Sequence, residues 1–211
     1  WMRPEILPDL RALTAAVHVE GAAISAQITH GGSFVTGMKV KGRTISSSSG
    51  FNPAGMLKGN FLQRAMTEAD MTRVTNEFVV AARLARDAGF DAVELHMGHG
   101  YLLNQFISPL SNRREDEYGG SAENRVRFPA RVLAAVKQAV GDTTAVLAKI
   151  NVADGTRRGA KVEDGIVTAK ALQAAGADML VLSGGRNVES TWFMFGSRMN
   201  REEIVKVLRQ Q

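Results

Sequence analysis

A parallel α/β fold is what this 211-residue sequence predicts, and three observations predict it. Helical patterns alternate with short apolar runs along the chain. One piece of punctuation recurs: Ala88-Gly89-Phe90-Asp91-Ala92-Val93-Glu94-Leu95 is echoed by Ala175-Gly176-Ala177-Asp178-Met179-Leu180-Val181-Leu182, each reading as helix stop, glycine cap and buried strand. The strand candidates are also apolar nearly throughout, as strands covered on both faces are. Strands alternating with helices imply right-handed crossovers in either an open doubly wound sheet or a closed barrel. Pattern alone does not separate the two.

Taken in order, a first helix carries His18, read as an exposed or packed histidine without chemistry, and Ala22 to Ile28 reads as a strand. Gly31 to Asn60 is rich in Gly and Ser, including Ser46-Ser47-Ser48-Ser49-Gly50, and reads as an active-site-type loop or lid rather than a linker. Met71, Val74, Phe78, Ala81, Ala82 and Ala85 recur at three- and four-residue steps and mark one helix face, with Thr67 and Asp70 as its capping box. The second strand is Ala92 to Leu95. Ser121 is placed to cap a helix that runs to about Val140 and ends at Gly141, where Pro129 predicts a kink or the true beginning. Thr144 to Asn151 is the third strand. Ile166, Ala169 and Leu172 stripe a helix from Val162 to Ala175, and Met179 to Ser183 is the fourth strand.

Composition narrows the function classes. With 45% hydrophobic and 22% charged residues the chain has the makings of one globular domain rather than a disordered segment. The net charge of +5 permits an anionic partner such as a phosphate-bearing cofactor. The basic residues are dispersed, however: Arg113-Arg114 is followed at once by Glu115, Asp116 and Glu117, which does not favour a nucleic-acid track. The absence of cysteine excludes disulfides, thiolate zinc sites and Cys-ligated iron–sulfur clusters from this segment and fits a reducing compartment. No apolar run approaches the roughly 18 residues of a membrane-spanning helix. A cytoplasmic protein without a membrane partner is the expectation, and a homo-oligomer is left open.

The residues with the most chemistry cluster after strand ends. Histidine and tyrosine are scarce, yet His96, His99, Tyr101 and Tyr118 fall in one stretch, the first three directly after the second strand. Two imidazoles three residues apart at a strand exit can offer hydrogen-bond donors to one pocket, and a phenol two residues on can serve as a proton donor. His-x-x-His is also a short pattern with structural and metal-binding uses. The neighbouring Arg113, Arg114, Asp116, Glu117 and Arg125 read as a structural ion-pair network. Gly119-Gly120 reads as a turn, and Gly184-Gly185 as a turn or a close approach to a ligand.

The surrounding sequence is more specific. Gly89-Phe90-Asp91-Ala92-Val93-Glu94-Leu95-His96-Met97-Gly98-His99-Gly100-Tyr101-Leu102-Leu103-Asn104-Gln105-Phe106 continues through Ser108-Pro109, Asn112-Arg113-Arg114 and Asp116-Glu117-Tyr118-Gly119-Gly120-Ser121 to Glu123-Asn124-Arg125. It closely resembles the signature of the old yellow enzyme family of NAD(P)H:flavin oxidoreductases. Gln27-Ile28-Thr29-His30-Gly31-Gly32 and Lys149-Ile150-Asn151 resemble two further segments of that family. The resemblance spans residues 20 to 196. It implies a TIM-type (β/α) barrel, FMN as cofactor, NAD(P)H as reductant and a small-molecule enone or similar alkene as acceptor.

By the same resemblance Gln27 would bond the flavin pyrimidine edge, and Lys149 would stand by the flavin N1/O2 edge. His96 and His99 would grip the acceptor's carbonyl oxygen, with His96 also near the cofactor, and Tyr101 would protonate the carbon α to that carbonyl. Lys149 and Ser33 depart from the family, which more often has Arg at the first place and a basic residue at the second. Without the resemblance, Gln27 reads as a satisfied core amide and Lys149 as a strand-end cation.

The four strands resemble the third to sixth of the family's eight, so residues 1–211 are expected to form a single partial barrel of about four parallel β/α units. The chain opens on Trp1-Met2 and stops in a charged stretch at Gln210-Gln211, which reads as a segment of a longer protein. Such an arc has two unpaired edges and one uncovered face, and is expected to hold FMN weakly or not at all by itself. Two other readings are a dihydrouridine synthase-like flavoenzyme acting on tRNA, against which the missing cysteine counts, and a non-catalytic half-barrel acting through association.

Overall fold

A computed structural model describes residues 3–35, 43–52 and 61–186. The expected loop from Gly31 to Asn60 therefore lies partly outside the described residues, at 36–42 and 53–60. The four strands of the main sheet are β1 (Ser25–Ile28), β5 (Ala92–Met97), β6 (Ala145–Asn151) and β7 (Met179–Ser183). They are hydrogen-bonded in the order β1-β5-β6-β7, every pair parallel. Each newly formed strand thus joins the same growing edge. Right-handed crossovers then place every connecting helix on one face and curl the sheet toward a barrel, whereas a doubly wound sheet would reverse its order and carry helices on both faces. The architecture is a partial (β/α) barrel.

The helices are α1 (Leu7–Val19), α2 (Glu68–Asp87), α3 (Leu102–Ile107), α4 (Ala122–Val140) and α5 (Val162–Ala174). α2 begins where the sequence places it: Thr67 Oγ1 accepts from Asp70 N at 3.2 Å while the Asp70 carboxylate accepts from Thr67 N at 2.9 Å. Its Met71, Val74, Phe78, Ala82 and Ala85 are buried in one core with the sheet's outer residues, and the helix lies over β1 and β5, where Val93 and Leu95 face outward. Each large side chain so buried contributes about 1.5–3 kcal/mol. α4 starts at Ala122 with Ser121 as its cap, so Pro129 does not mark its beginning. It sits inside the helix and is buried, next in sequence to Phe128, whose ring meets Phe106 at 4.6 Å.

The opposite, concave face is different. Pleat and register align Gln27 with Glu94 and Leu147, and His96 with Lys149 and Val181, along that face. It is only partly covered: Gln27 is exposed, Glu94, Leu147, Lys149 and Val181 are half-buried, and Met179 is 58% exposed. This is the uncovered face that a four-strand arc predicts.

Two elements depart from the sequence expectation. The Gly/Ser-rich loop and the residues just after it form a second, three-stranded sheet in which β4 (Leu62–Ala65) lies between parallel β2 (Thr44–Ser46) and antiparallel β3 (Gly50–Phe51). It is pinned to the barrel by Arg113 and Arg114. Arg113 N donates to Ser48 Oγ, and the Arg114 guanidinium donates to the carbonyls of Ser47 and Met66 at 3.0 and 2.9 Å. The expected ion-pair network is likewise redistributed. Arg114 pairs with Asp116, but Arg125 is buried on the carbonyls of Ile107 and Gly120 and on Asp164, and Arg113 bonds the Ser49 carbonyl. Among the described residues no helix is long and apolar enough to cross a membrane.

Candidate active site

The C-terminal ends of β5, β6 and β7 bring the polar cluster together. His96 is the fifth residue of β5, pointing to the concave face beside its register partner Lys149 on β6. The strand ends at Met97, and the chain turns sharply through Gly98, His99 and Gly100. His99 has φ 59°, the one non-glycine residue with positive φ among those described, a conformation costing about 1–3 kcal/mol that surrounding contacts must hold. The turn returns both imidazoles and the phenol to one place. The His96 ring lies 4.9 Å from the His99 ring and 4.9 Å from the Tyr101 ring, and Phe34 meets Tyr101 edge-on at 5.8 Å.

His99 is held from two strands. Its backbone N–H donates to Asn151 Oδ1 at 3.1 Å, and its Nε2 lies 2.7 Å from Ser183 Oγ. Asn151 is itself fixed, donating to Asp154 Oδ1 at 3.0 Å and to the Gly185 carbonyl at 2.8 Å, while the fully buried Asp154 accepts from Ser108 Oγ and Ala160 N. α3, directly after Tyr101, braces the turn: Gly100 N donates to Asn104 Oδ1, and Gln105 Nε2 donates to the Gly100 carbonyl.

Both histidines are kept neutral. Burial, reinforced by the repulsion that protonated His99 and Lys149 would exert on a second positive ring, lowers the His96 pKa to about 4, and burial with Lys149 lowers that of His99. Each neutral ring has one N–H donor and one acceptor nitrogen. Nδ1 of His96 is buried and has no hydrogen-bond partner among the described residues. A buried polar atom left in that state costs about 1–3 kcal/mol, so the site is shaped for a group that would satisfy it.

The other residues singled out from sequence are placed as follows. Lys149 is half-buried next to His96. Gln27 stands apart from the cluster, two residues lower on the face and on the edge strand, with its amide donating to the Glu94 carboxylate. Its core-amide alternative does not hold, because Gln27 is exposed. Tyr118 does not join His96, His99 and Tyr101. Its hydroxyl donates to Glu68 at 3.2 Å, and burial together with Glu68 raises its pKa. His30 Nδ1 accepts from Gly32 N at 3.0 Å and so shapes its own loop. His18 pairs with Asp91 at 2.9 Å, at the start of the β5 segment. Asn151, which the sequence places at a strand end in the Lys149-Ile150-Asn151 segment, joins the cluster through His99, whereas Glu94 and Ser183 are neighbours that sequence reasoning did not single out. Glu94 could have been found from its charge inside an apolar strand, whereas Ser183 carries no local signal.

A cleft of about 1230 Å³ opens elsewhere, between the end of β1, from Gln27 to Gly31, and the outer side of α2 near Arg73 and Glu77. It reaches Gln27 and His30 but not His96, His99 or Tyr101. Size alone does not make it the chemical centre, since the convergent neutral donors are at the β5 exit. No group of three or more His, Asp or Glu side chains among the described residues could hold a metal ion.

The arrangement fits a flavin site at the level of the residues present. Lys149 offers a cation on the concave face, and His96 offers an unsatisfied ring nitrogen beside it. Comparison with known proteins points the same way. Residues 3–206 match the NADH:flavin oxidoreductase / NADH oxidase family. The 4,4'-dithiodibutanoate disulfide reductase of Rhodococcus erythropolis is 40% identical over 205 residues, which is 97% of this chain and 50% of that protein. An NADPH dehydrogenase of Geobacillus sp. (strain WCH70) is 38% identical over 86% of this chain and 51% of its own length.

Among solved structures, 2-naphthoyl-CoA reductase in complex with 2-naphthoyl-CoA superposes with a TM-score of 0.78 at 28% identity, covering 88% of this chain and 30% of that one. The old yellow enzyme homologue from Zymomonas mobilis gives 0.73 at 28% identity, covering 95% and 58%. The chain spans about half the length of the curated relatives it matches. On the strength of this match along nearly its whole length, the chain belongs to the NADH:flavin oxidoreductase / NADH oxidase family, that of the old yellow enzymes.

Proposed function

We propose that the protein containing this chain is an FMN-dependent NAD(P)H oxidoreductase that reduces the C=C bond of α,β-unsaturated carbonyl compounds. The four strands take the third to sixth places in its barrel. The observation that carries the reading is the convergence of His96, His99 and Tyr101, with both imidazoles neutral and His96 Nδ1 buried without a partner.

Gln27, Lys149 and His96 would hold FMN. When bound, FMN supplies two electrons, drawn from NAD(P)H, as a hydride to the β carbon of the acceptor. Reduction there pushes negative charge onto the carbonyl oxygen. His96 and His99 would meet that charge with ring N–H donors, which stabilises the enolate-like transition state more than the ground state. Neutral imidazoles suit this role, because a donor that kept its proton throughout would leave the proton transfer to another group. Tyr101 would be that group, giving its phenolic proton to the α carbon and recovering one from solvent. Lys149 would oppose the negative charge that reduction leaves on the flavin edge.

The test is an FMN titration of the full-length protein followed by fluorescence, then anaerobic NADPH and finally 2-cyclohexenone. Stoichiometric binding, bleaching of the flavin band and its return on adding the enone are expected. A flavin that bleaches but does not return with the enone would overturn the alkene assignment.

A second reading rests on the 40% identity to the Rhodococcus disulfide reductase. A hydride and one proton cleave a disulfide to two thiols, a reaction the same three side chains could serve. With no cysteine in the chain, thiol–disulfide exchange is closed to this segment, and the cleavage would be direct. Return of the flavin band with 4,4'-dithiodibutanoate but not with cyclohexenone would select it.

A further inference from the structure

We infer that Ser183 is a positioning residue that sets the tautomer of His99, so that His99 presents its Nδ1–H to the acceptor's oxygen. The inference rests on the reading of His99 as an oxyanion donor given above. Ser183 is the last residue of β7, two strands from β5, and its Oγ lies 2.7 Å from His99 Nε2. The hydroxyl has no other acceptor among the described residues. If Oγ accepted from an Nε2–H, its own proton would have no acceptor among the described residues, whereas donation from Oγ to a bare Nε2 satisfies both groups.

Burial and Lys149 keep the ring neutral, so a proton excluded from Nε2 must be on Nδ1, the nitrogen that meets no described residue. The opposite tautomer would turn a lone pair toward an oxygen that is gaining negative charge, and repel it.

The ring can read Ser183 because its backbone is held. Asn151 Oδ1 takes the His99 N–H, and Asn151 is locked by Asp154 and the Gly185 carbonyl. Gly98 leaves room for that clamp, since a Cβ there would come within 2.7 Å of Asn151 Oδ1. The positive φ of His99 then aims the side chain across the sheet to β7 rather than along β5.

The test uses the full-length, FMN-loaded protein with ¹⁵N-labelled histidine. Long-range proton–nitrogen correlation of the imidazoles distinguishes the two neutral tautomers, and the His99 signals are identified by their loss in His99→Gln. In the wild type His99 is expected as the Nδ1–H form, in Ser183→Ala mainly as the Nε2–H form, and in Ser183→Thr again as Nδ1–H. Turnover with cyclohexenone is expected to fall about ten-fold in Ser183→Ala, less than the loss of a whole oxyanion donor, and to recover in Ser183→Thr. A wild-type His99 protonated on Nε2, or a pattern unchanged by Ser183→Ala, would overturn the inference. A wild type that reduces no enone would instead overturn the proposed function, and the ring spectra would still decide the tautomer.

Discussion

His96 and Lys149 are direct partners in the parallel register of β5 and β6, so a cation stands beside the more strongly shifted of the two imidazoles. The pairing places the charge on the concave face at the level of the donors. Lys149→Met is expected to move the midpoint potential of bound FMN to more negative values, because reduced flavin loses a stabilising cation. It is also expected to raise the His96 pKa slightly, burial being the larger cause of its depression. Spectroelectrochemical titration of the two proteins checks the first effect, and an unchanged potential would remove Lys149 from the flavin edge.

His96 should also appear in the pH dependence of stability. Its folded pKa of about 4 lies below the ordinary 6.5, so between these values the unfolded chain binds more protons than the folded one. The contribution is complete above pH 6.5 and drains away as pH falls toward 4. Urea midpoints at pH 7 and 4.5 are expected to differ more for the wild type than for His96→Gln. Equal differences would mean that the ring is not buried uncharged.

Gly98→Ala is expected to damage the site without unfolding the domain. The added Cβ would meet Asn151 Oδ1 at 2.7 Å and displace the clamp on the His99 backbone. Turnover should fall about ten-fold or more, in line with the sensitivity of catalysis to small misplacements, while the thermal midpoint drops by only a few degrees. Steady-state kinetics beside a melting curve would separate the two.

Arg125 is the stability test. Its buried guanidinium serves Ile107 and Gly120 carbonyls and Asp164, joining α4 to the loop after α3 and to the start of α5. Arg125→Ala is expected to cost about 3 kcal/mol, by leaving these acceptors unpaired. Arg125→Lys should recover only part, because an ammonium cannot reproduce the fork. Chemical denaturation of both variants measures it.

Much of this was legible in the sequence because it is written locally. Thr67 and Asp70 are three residues apart and close a capping box on each other. The repeated Ala-Gly…Asp pattern marks two helix stops, and Asp91 and Asp178 occupy the same place in it: each carboxylate takes a backbone N–H at the start of a strand, Ile24 and Val146 respectively. His96, His99 and Tyr101 converge because one strand end and the turn directly after it carry all three.

What was not legible depends on partners far along the chain. Ser183 meets His99 across two strands, and a lone serine at a strand end announces nothing. The small sheet escaped because its strands are two to four residues long and are anchored by Arg113 and Arg114 from the other side of the motif. Strand choice between barrel and doubly wound sheet required the sequential pairing order, which no local pattern encodes.

The most direct measurement is the anaerobic reoxidation of NADPH-reduced, full-length protein by 2-cyclohexenone, followed at the flavin band in the wild type and in Tyr101→Phe. The expected result is rapid reoxidation of the wild type and a rate lower by about a hundred-fold or more in Tyr101→Phe, the usual worth of a positioned proton donor. Reoxidation by oxygen, which needs no proton delivered to carbon, should be similar in both. Equal rates with the enone would contradict the account, because the phenol beside His96 would then not be the proton source.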